Sequence, residues 1–378
     1  MSADLSVSFT GIRFENPFLL SSAPPTESES NIMRAFEAGW GGVVTKTIGL
    51  HPVVNVAGPK TKFLRTNPKA GLSMNKGRDG VLHSSWNWEL ISDKPLDWWV
   101  PRLGRIKKAF PDKVLIASIM TGSGSDTELE HWRTLATVCQ EQGVDALELN
   151  LSCPHMDRPD MGSNIGKDEG LCSFVTQVVK EAASIPVWAK LTPATSDIAL
   201  EAAAVFRGNG DAISSTNTFP SLPLIDAEAL EFEMNVDGLV SFGGLGGPAI
   251  LPLSLAKMAQ LTQAFPEKAF SGIGGISEFS HALNFFLLGC GTVQVCTAAM
   301  LDRAIGPNVV KRLISGMEEF LDRNAHRGWT NLEDFRGLLR DRVVLHSQIR
   351  RPDEADYRGG YEPQEGYAEP EATKARKD

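Results

Sequence analysis

Short apolar runs alternate along the chain with longer stretches in which apolar residues recur every three or four positions. Helical periodicity is clear in 29–39, 127–143, 196–210 and 277–289. Ser125 and Glu128 form a capping box in front of the second of these helices. Eight apolar runs are typical of buried strands: 18–23, 41–47, 114–120, 146–152, 187–193, 212–218, 269–275 and 292–298.

Eight strand–helix units in succession predict a (β/α)8 TIM barrel, because near-continuous apolar strands joined by helices form a covered parallel sheet. A doubly wound open sheet is the alternative, but no G-x-G-x-x-G sequence follows any of the strands. Two long insertions, 48–95 and 219–246, follow the second and sixth strands. In a barrel such loops lie over the active-site face.

The C-terminal part of the chain has a different composition. We expect residues 1–325 to form the barrel domain and residues 326–378 to form a C-terminal extension. From Arg351 onward there is no Val, Ile, Leu, Met or Phe, while eight acidic and five basic residues alternate with Pro and Gly. Such a segment cannot bury a core. It is predicted to be extended or disordered from about 351, as a polar arm that packs on another subunit.

Charge and cysteine content exclude several classes of protein. The net charge of −9 argues against nucleic-acid binding. No apolar run reaches the 18 residues of a membrane span, and MSADLSVSFTG lacks the features of a signal peptide. A cytoplasmic location is therefore expected. The five cysteines contain no C-x-x-C pair, which predicts that this chain holds neither an iron–sulfur cluster nor another metal site.

Polar side chains follow seven of the eight predicted strands, and a glycine pair follows the other. Because the carboxyl ends of barrel strands meet at one rim, we expect these residues to converge on an active site. They are Ser22, Ala23, Lys46, Thr47, Ser118, Asn150, Ser152, Cys153, Lys190, Ser215, Asn217, Thr218, Gly274, Gly275 and Thr297.

Lys46 and Lys190 end otherwise apolar strands. Either lysine alone could simply extend to solvent. Together they favour an anionic or electron-rich ligand such as a reduced flavin, whose ring carries negative charge.

Two glycine-rich segments, 242–250 and 271–277, lie where this fold places phosphate groups. Backbone amides after strands seven and eight form the usual phosphate site of such barrels. A glycine pair by itself is more often only a turn. Their combination with the small residues of 294–298 predicts a cofactor that carries a phosphate.

Asn55, Asn150 and Asn217 are the candidate ligands for the substrate. A single asparagine at a strand end often only closes a turn. Because an amide both donates and accepts hydrogen bonds, a set of amides suits a neutral planar ligand with alternating C=O and N–H groups. A pyrimidine is such a ligand, whereas a carboxylate would call for arginine.

Several short motifs resemble one family. They are SSAPPT (21–26), TKT (45–47), NLSCPH (150–155), AKLTP (189–193), TNT (216–218), SGIGG (271–275) and QVCTA (294–298). They are similar to motifs of the FMN-dependent dihydroorotate and dihydropyrimidine dehydrogenase superfamily. The pyrimidine-reducing domain of dihydropyrimidine dehydrogenase is the most similar, with further likeness in 34–47, 84–92 and 110–120.

This resemblance implies hydride transfer at flavin N5 and proton transfer by Cys153 as general acid/base. A cysteine thiol of ordinary pKa, about 8.5, is largely protonated at neutral pH and can act as an acid. The pyrimidine would be held by Asn55, Asn150, Ser152, Asn217 and Thr218. FMN would be held by Ala23, Lys46, Thr47, Asn150, Lys190, Gly246, Gly247, Gly274, Gly275 and Thr297.

Three alternatives remain open. The chain could oxidise dihydroorotate, although its GLSMNKGRDG segment (71–80) matches the dihydropyrimidine branch of the superfamily better. It could act on another pyrimidine-like heterocycle, or bind FMN without activity of its own. The resemblance also implies a separate electron-transfer subunit, linked to NAD(P)H and carrying flavin or iron–sulfur groups, and a homodimer or larger assembly.

Overall fold

The structure, a computed structural model, describes residues 4–67, 71–76, 80–153, 158–302 and 306–350. Residues 351–378, for which an extended or disordered arm is predicted, lie outside the described residues. No helix in the described ranges is both long and apolar enough to span a membrane.

Seventeen strands occur in the described residues: β1 Val7–Phe9, β2 Ile12–Phe14, β3 Phe18–Leu20, β4 Gly42–Val44, β5 Thr61–Asn67, β6 Gly71–Ser73, β7 Val81–Asn87, β8 Val114–Ile119, β9 Ala146–Leu151, β10 Val187–Leu191, β11 Ala212–Ser215, β12 Phe219–Ser221, β13 Ile225–Asp226, β14 Glu231–Phe232, β15 Gly243–Gly246, β16 Ala269–Ile273 and β17 Thr292–Val295. The α-helices are α1 Glu29–Ala38, α2 Leu96–Ala109, α3 Asp126–Glu141, α4 Glu169–Ala182, α5 Ile198–Arg207, α6 Leu251–Ala264, α7 Phe279–Leu287, α8 Thr297–Leu301 and α9 Pro307–Asn324.

Eight parallel strands close into a barrel in the order β3-β4-β8-β9-β10-β11-β16-β17. The barrel closes where Val293 of β17 pairs with Phe18 of β3. All eight predicted strands are confirmed, and the predicted (β/α)8 barrel with them. The strands end one to three residues earlier than the sequence predicts, because the predicted runs include rim residues such as Lys46 and Asn217 that lie beyond the last paired positions of their strands.

Local signals in the sequence fix several helix ends. Ser125 Oγ accepts a hydrogen bond from the backbone N–H of Glu128, so the predicted cap of α3 is confirmed. The reciprocal half of the box is not present as predicted. The Glu128 carboxylate instead accepts from the backbone N–H of Gly124 and pairs with Arg158, 2.6 Å away. Helix α1 begins at the Ser28 cap and ends at Gly39, whose φ of 104° favours glycine.

The two insertions combine into one antiparallel sheet, of order β12-β15-β7-β5-β6. Strand β7 comes from the first insertion and β15 from the second, and Leu245 pairs with Trp86 at their junction. Buried side chains of the inserted segments, Leu64, Trp86, Trp88 and Met234, form a small apolar core separate from that of the barrel. The sheet is therefore stabilised by its own small core and can form a rigid wall beside the barrel rim.

The barrel core extends beyond the predicted domain boundary at residue 325. Leu332 and Phe335 are buried members of that core. The Phe335 ring packs against Phe320 and Trp329, with centroids 5.0 and 5.7 Å away. The compact unit that contains the barrel ends at Asp341, and the described residues from Arg342 to Arg350 fall outside it.

Substitution Phe335→Ala should therefore destabilise the barrel itself. We expect the free energy of unfolding to fall by about 3–5 kcal/mol, because removing a buried ring leaves a cavity. Urea denaturation followed by circular dichroism measures this change. Leu338→Ala is the matched control, since Leu338 is 53% exposed and should cost less than about 1 kcal/mol. Equal losses for both variants would contradict the assignment of Phe335 to the core.

Candidate active site

A cavity opens at the carboxyl ends of the barrel strands and is bounded on one side by the inserted sheet. Its empty space is about 1120 Å³, including the open mouth. Residues at the carboxyl ends of seven of the eight barrel strands line it, and Thr61, Ser85 and Asn87 of the insertion add to its wall. Of the predicted site residues, those in the lining are Ser22, Ala23, Lys46, Thr47, Asn150, Cys153, Lys190, Asn217, Thr218, Gly246, Gly247, Gly274, Gly275 and Thr297.

The Asn150 amide is fixed from both ends. Its Nδ2 donates to Thr47 Oγ1 at 2.9 Å, and its Oδ1 accepts from the backbone N–H and the hydroxyl of Ser152, at 3.2 and 2.9 Å. Thr47 is itself held by the Ser118 hydroxyl at 2.9 Å. A side-chain amide has two donor hydrogens and two acceptor positions on its oxygen. Asn150 thus has both acceptor positions filled and one N–H left for a ligand.

The Asn217 amide is left with a free acceptor position rather than a free donor. Its Nδ2 donates to both the backbone oxygen and the hydroxyl of Ser152, at 3.2 and 2.9 Å. Its Oδ1 accepts from the backbone N–H of Thr218 at 2.8 Å, which leaves one acceptor position. The cavity therefore offers a donor from Asn150 and an acceptor from Asn217, both set by the same serine.

Ser152 itself is 1% exposed and lies behind the cavity lining rather than in it. Its hydroxyl accepts from Asn217 and donates to Asn150, so it couples the two amides. The sequence predicts direct substrate binding by Ser152. In the structure Ser152 instead contacts the two amides and is not part of the cavity lining.

Cys153 lies two residues beyond the end of β9 and lines the cavity. It is buried, and its backbone oxygen accepts from the N–H of Ser163 at 2.9 Å. Residues 154–157 lie outside the described residues. Cys153, Asn150 and Asn217 thus line the same cavity.

A second cysteine, Cys296, also lines the cavity, but the pKa of its thiol is too high for a general base. Burial raises the pKa of its thiol to about 11, while the charges of Lys190 and Lys46 act in the opposite direction. Cys296 therefore stays protonated near neutral pH. It contributes shape and apolar contact, as its sulfur lies 3.8 Å from that of Met300.

The two predicted lysines are both buried but have different partners. Lys46 Nζ forms an ion pair with Glu89 Oε2 at 3.1 Å. Lys190 Nζ donates to the Ser21 hydroxyl at 3.2 Å and forms no ion pair with any residue that the structure describes. Because a buried charge without a counterion is costly, Lys190 favours a ligand with negative charge or electron-rich oxygens.

The glycine segments form a close-fitting cradle at one end of the cavity. A Cβ at Gly274 would lie 2.1 Å from Ser254 Oγ, and one at Gly275 would lie 2.7 Å from Leu251 Cβ. Both glycines also have positive φ angles, 132° and 76°, so no other residue fits here without strain. Leu251 and Ser254, which these Cβ atoms would meet, belong to the N-terminal turn of α6. The start of a helix beside the cradle suits a phosphate.

Thr297 and the second glycine segment close the cradle from the other side. Thr297 Oγ1 and Ser85 Oγ form a hydrogen bond of 2.8 Å between the barrel and the inserted sheet. A Cβ at Gly246 would lie 3.1 Å from Ser85 Oγ and one at Gly247 would lie 3.1 Å from Thr297 Cγ2. The donors and the space present at this end of the cavity fit a phosphate-bearing cofactor.

The prediction for Asn55 is not supported by the geometry. Its Oδ1 accepts from the backbone N–H of Leu90 at 3.3 Å, and Asn55 does not belong to the cavity lining. Asn87 and Glu89 of the same insertion do line it, and sequence analysis missed both. Asn87 donates to the oxygen of Gly244 at 3.2 Å and accepts from the N–H of Glu89 at 3.2 Å. The alternation of polar and apolar residues in NWE (87–89), at the end of β7, could have indicated that Asn87 and Glu89 point to the same side of the chain.

Comparison with known proteins shows which family the chain belongs to. The family model for dihydroorotate dehydrogenase matches residues 4–321. The chain is 35% identical over 362 residues to the chloroplastic dihydropyrimidine dehydrogenase (NADP(+)) of Arabidopsis thaliana, covering 93% of this chain and 81% of the relative.

Two further relatives come from microorganisms. Identity to the NAD-dependent dihydropyrimidine dehydrogenase subunit PreA of Escherichia coli K12 is 35%, over 93% of this chain and 80% of the relative. Identity to the catalytic subunit of dihydroorotate dehydrogenase B (NAD(+)) of Pyrococcus furiosus is 31%, over 88% and 98%. The chain therefore belongs to the dihydroorotate dehydrogenase family of oxidoreductases, in the superfamily that its motifs predict.

Proposed function

We propose that this protein interconverts a pyrimidine base, such as uracil or thymine, and its 5,6-dihydro form, using bound FMN. The observation that carries the proposal is the pair of amides set by Ser152. Asn150 offers a donor and Asn217 an acceptor, and together they complement a C=O group and an N–H group of a pyrimidine. Two relatives of 35% identity are named dihydropyrimidine dehydrogenases.

FMN would be held along the cavity by the glycine cradle and by the polar rim. The amides near Gly246, Gly247, Gly274 and Gly275, together with Thr297, fit its phosphate, and Ala23, Lys46, Thr47, Asn150 and Lys190 line the part of the cavity left for its ring. When bound, FMN supplies the hydride that is exchanged with C6 of the pyrimidine. Lys190, which has no counterion among the described residues, would stabilise the negative charge of the reduced ring.

Cys153 would hold and move the proton. In the reductive direction its Sγ–H bond breaks and the proton goes to C5 as the hydride reaches C6, leaving a thiolate that solvent reprotonates. In the oxidative direction the thiolate removes the C5 proton. Thr218 and the two asparagines would keep the ring in place, and Asn87 would add a contact from the inserted sheet.

A neutral base fits the cavity better than dihydroorotate does. The basic side chains of the lining are Lys46 and Lys190. Lys46 is already neutralised by Glu89, and Lys190 donates to Ser21 at the end of β3. A substrate carboxylate would have to displace Glu89 from Lys46 or compete with the flavin for Lys190. Desolvating a carboxylate without a full partner is costly.

The source of electrons is proposed from the comparisons. PreA of Escherichia coli is named as a subunit, and the Pyrococcus furiosus relative is named as a catalytic subunit. We propose that a separate NAD(P)H-linked subunit, with flavin or iron–sulfur groups, exchanges electrons with this chain. A homodimer or larger assembly and a cytoplasmic location belong to the same proposal.

Anaerobic titration of the FMN-loaded protein tests the substrate class. Dihydrouracil or dihydrothymine should bleach the visible absorbance of the flavin at least about tenfold faster than dihydroorotate, a difference of about 1.4 kcal/mol in favour of a neutral ligand. Stopped-flow spectroscopy with the three compounds in parallel makes this measurement. Bleaching by dihydroorotate alone would identify a dihydroorotate dehydrogenase instead.

Substitution Cys153→Ala should slow the reaction with pyrimidine by about 10²–10⁴, the usual contribution of a positioned acid or base. FMN binding should be unchanged, which fluorescence of the released flavin verifies. Cys153→Ser keeps a proton donor of much higher pKa and should lie between alanine and the natural residue. If the alanine variant oxidised its reduced flavin with uracil at the natural rate, Cys153 would not be the acid.

Substitution Ser152→Ala removes the hydroxyl that couples the two amides but leaves the cavity lining intact. We expect the amides to lose their fixed orientation, with a loss of about 1–3 kcal/mol in transition-state stabilisation, or roughly 5- to 150-fold in kcat/KM. FMN affinity serves as the internal control and should change by less than twofold. An unchanged kcat/KM would show that Ser152 does not position the amides.

A further inference from the structure

The ion pair between Lys46 and Glu89 forms part of the cavity wall, and the function proposed above assigns Glu89 no role in the flavin chemistry. The two charged atoms are 3.1 Å apart, and both side chains are largely buried, at 9% and 16% exposed. Lys46 follows barrel strand β4, whereas Glu89 follows β7 of the inserted sheet. The insertion therefore brings a fixed negative charge to the barrel rim.

Glu89 is held in place by groups other than its lysine partner. Its second carboxylate oxygen accepts from the Thr61 hydroxyl at 3.1 Å, and its backbone N–H donates to Asn87 Oδ1 at 3.2 Å. Thr61, Asn87 and Glu89 all line the cavity. A carboxylate held by a partner on each oxygen, on a backbone that is itself hydrogen-bonded, keeps its position when a ligand enters, so its charge acts on whatever occupies the cavity.

The charges of Lys46 and Glu89 also affect the nearby Glu27 carboxyl. Burial raises the pKa of Glu27, Lys46 lowers it and Glu89 raises it, with smaller effects from Lys60 and Asp93. Lys46 and Glu89 thus act with opposite signs on a neighbouring group. Lys190, across the cavity, has only the Ser21 hydroxyl as its hydrogen-bond partner in the described part of the chain.

We propose that Glu89 neutralises Lys46 and thereby lowers the midpoint potential of the bound flavin, so that reduction of the pyrimidine is favoured. The inference rests on the proposed function. A reduced flavin carries negative charge on its ring, and a buried lysine beside it stabilises the reduced form. A carboxylate paired to that lysine removes the stabilisation, because charges interact strongly at short range in a poorly screened site. Glu89 is then a positioning and electrostatic residue rather than a catalytic one.

The test is the reduction equilibrium of the bound flavin in the holoprotein, measured against a reference dye of known potential. Glu89→Gln preserves the shape of the side chain and removes its charge. We expect the ratio of reduced to oxidised flavin at a fixed potential to rise at least tenfold, which for two electrons is about 30 mV. Glu15→Gln is the matched control, since it breaks a Lys–Glu pair with Lys113 at the opposite end of the barrel.

Lys46→Gln leaves the Glu89 carboxylate without its lysine partner, so the ratio of reduced to oxidised flavin at a fixed potential should fall about tenfold rather than rise. A shift in Glu89→Gln no larger than that in Glu15→Gln would overturn the proposal. A rise in the ratio in Lys46→Gln would do the same, because it would trace the effect to shape rather than charge. If Glu89→Gln does not retain FMN, the direction of the shift in Lys46→Gln decides the question.

The proposed function is tested separately by the natural protein. If that protein does not bind FMN, or if dihydropyrimidines do not reduce its flavin and uracil and thymine do not reoxidise it, the proposed function and this inference both fail. If FMN binds and is reduced by dihydropyrimidines while Glu89→Gln matches its control, only the inference fails.

Discussion

The candidate site depends on one chain of hydrogen bonds that runs along the barrel rim from Asn217 through Ser152 and Asn150 to Thr47. These residues follow or end three different strands, and the bonds exist only because the closed sheet brings those strand ends together. Each bond also occupies a donor and an acceptor, so the bonds determine which polar groups remain available to a ligand. The barrel therefore fixes not only where the amides are but which of their atoms a ligand can meet.

The inserted sheet adds what the barrel alone lacks. Its Ser85 forms a hydrogen bond with Thr297 and its Asn87 lines the cavity. The segment that follows β7 supplies Glu89, which pairs with Lys46. Its separate small core around Trp86 holds these side chains at fixed positions. We propose that the barrel provides binding and proton transfer, while the insertion shapes the cavity and sets its local electrostatic field.

The sequence predicted the barrel well because buried parallel strands have an unmistakable local pattern, and the rim residues follow from strand ends by the geometry of the fold. The inserted sheet was not predictable in the same way. Its central pairing joins β7 to β15, more than 150 residues apart in the chain, and no local signal specifies that register. The same difficulty explains Asn55. It and Asn87 lie in one insertion, and only the pairing of β7 determines which asparagine meets the cavity.

We propose that Asn150 and Asn217 recognise a neutral pyrimidine through a donor and an acceptor that Ser152 has oriented. A crystal structure of the FMN-loaded protein with a slowly reacting pyrimidine would show these contacts. We expect Asn150 Nδ2 within hydrogen-bond distance of a ring carbonyl, Asn217 Oδ1 within that distance of a ring N–H, and Cys153 Sγ facing C5. A pyrimidine bound with neither amide in contact, or with C5 turned away from Cys153, would contradict it.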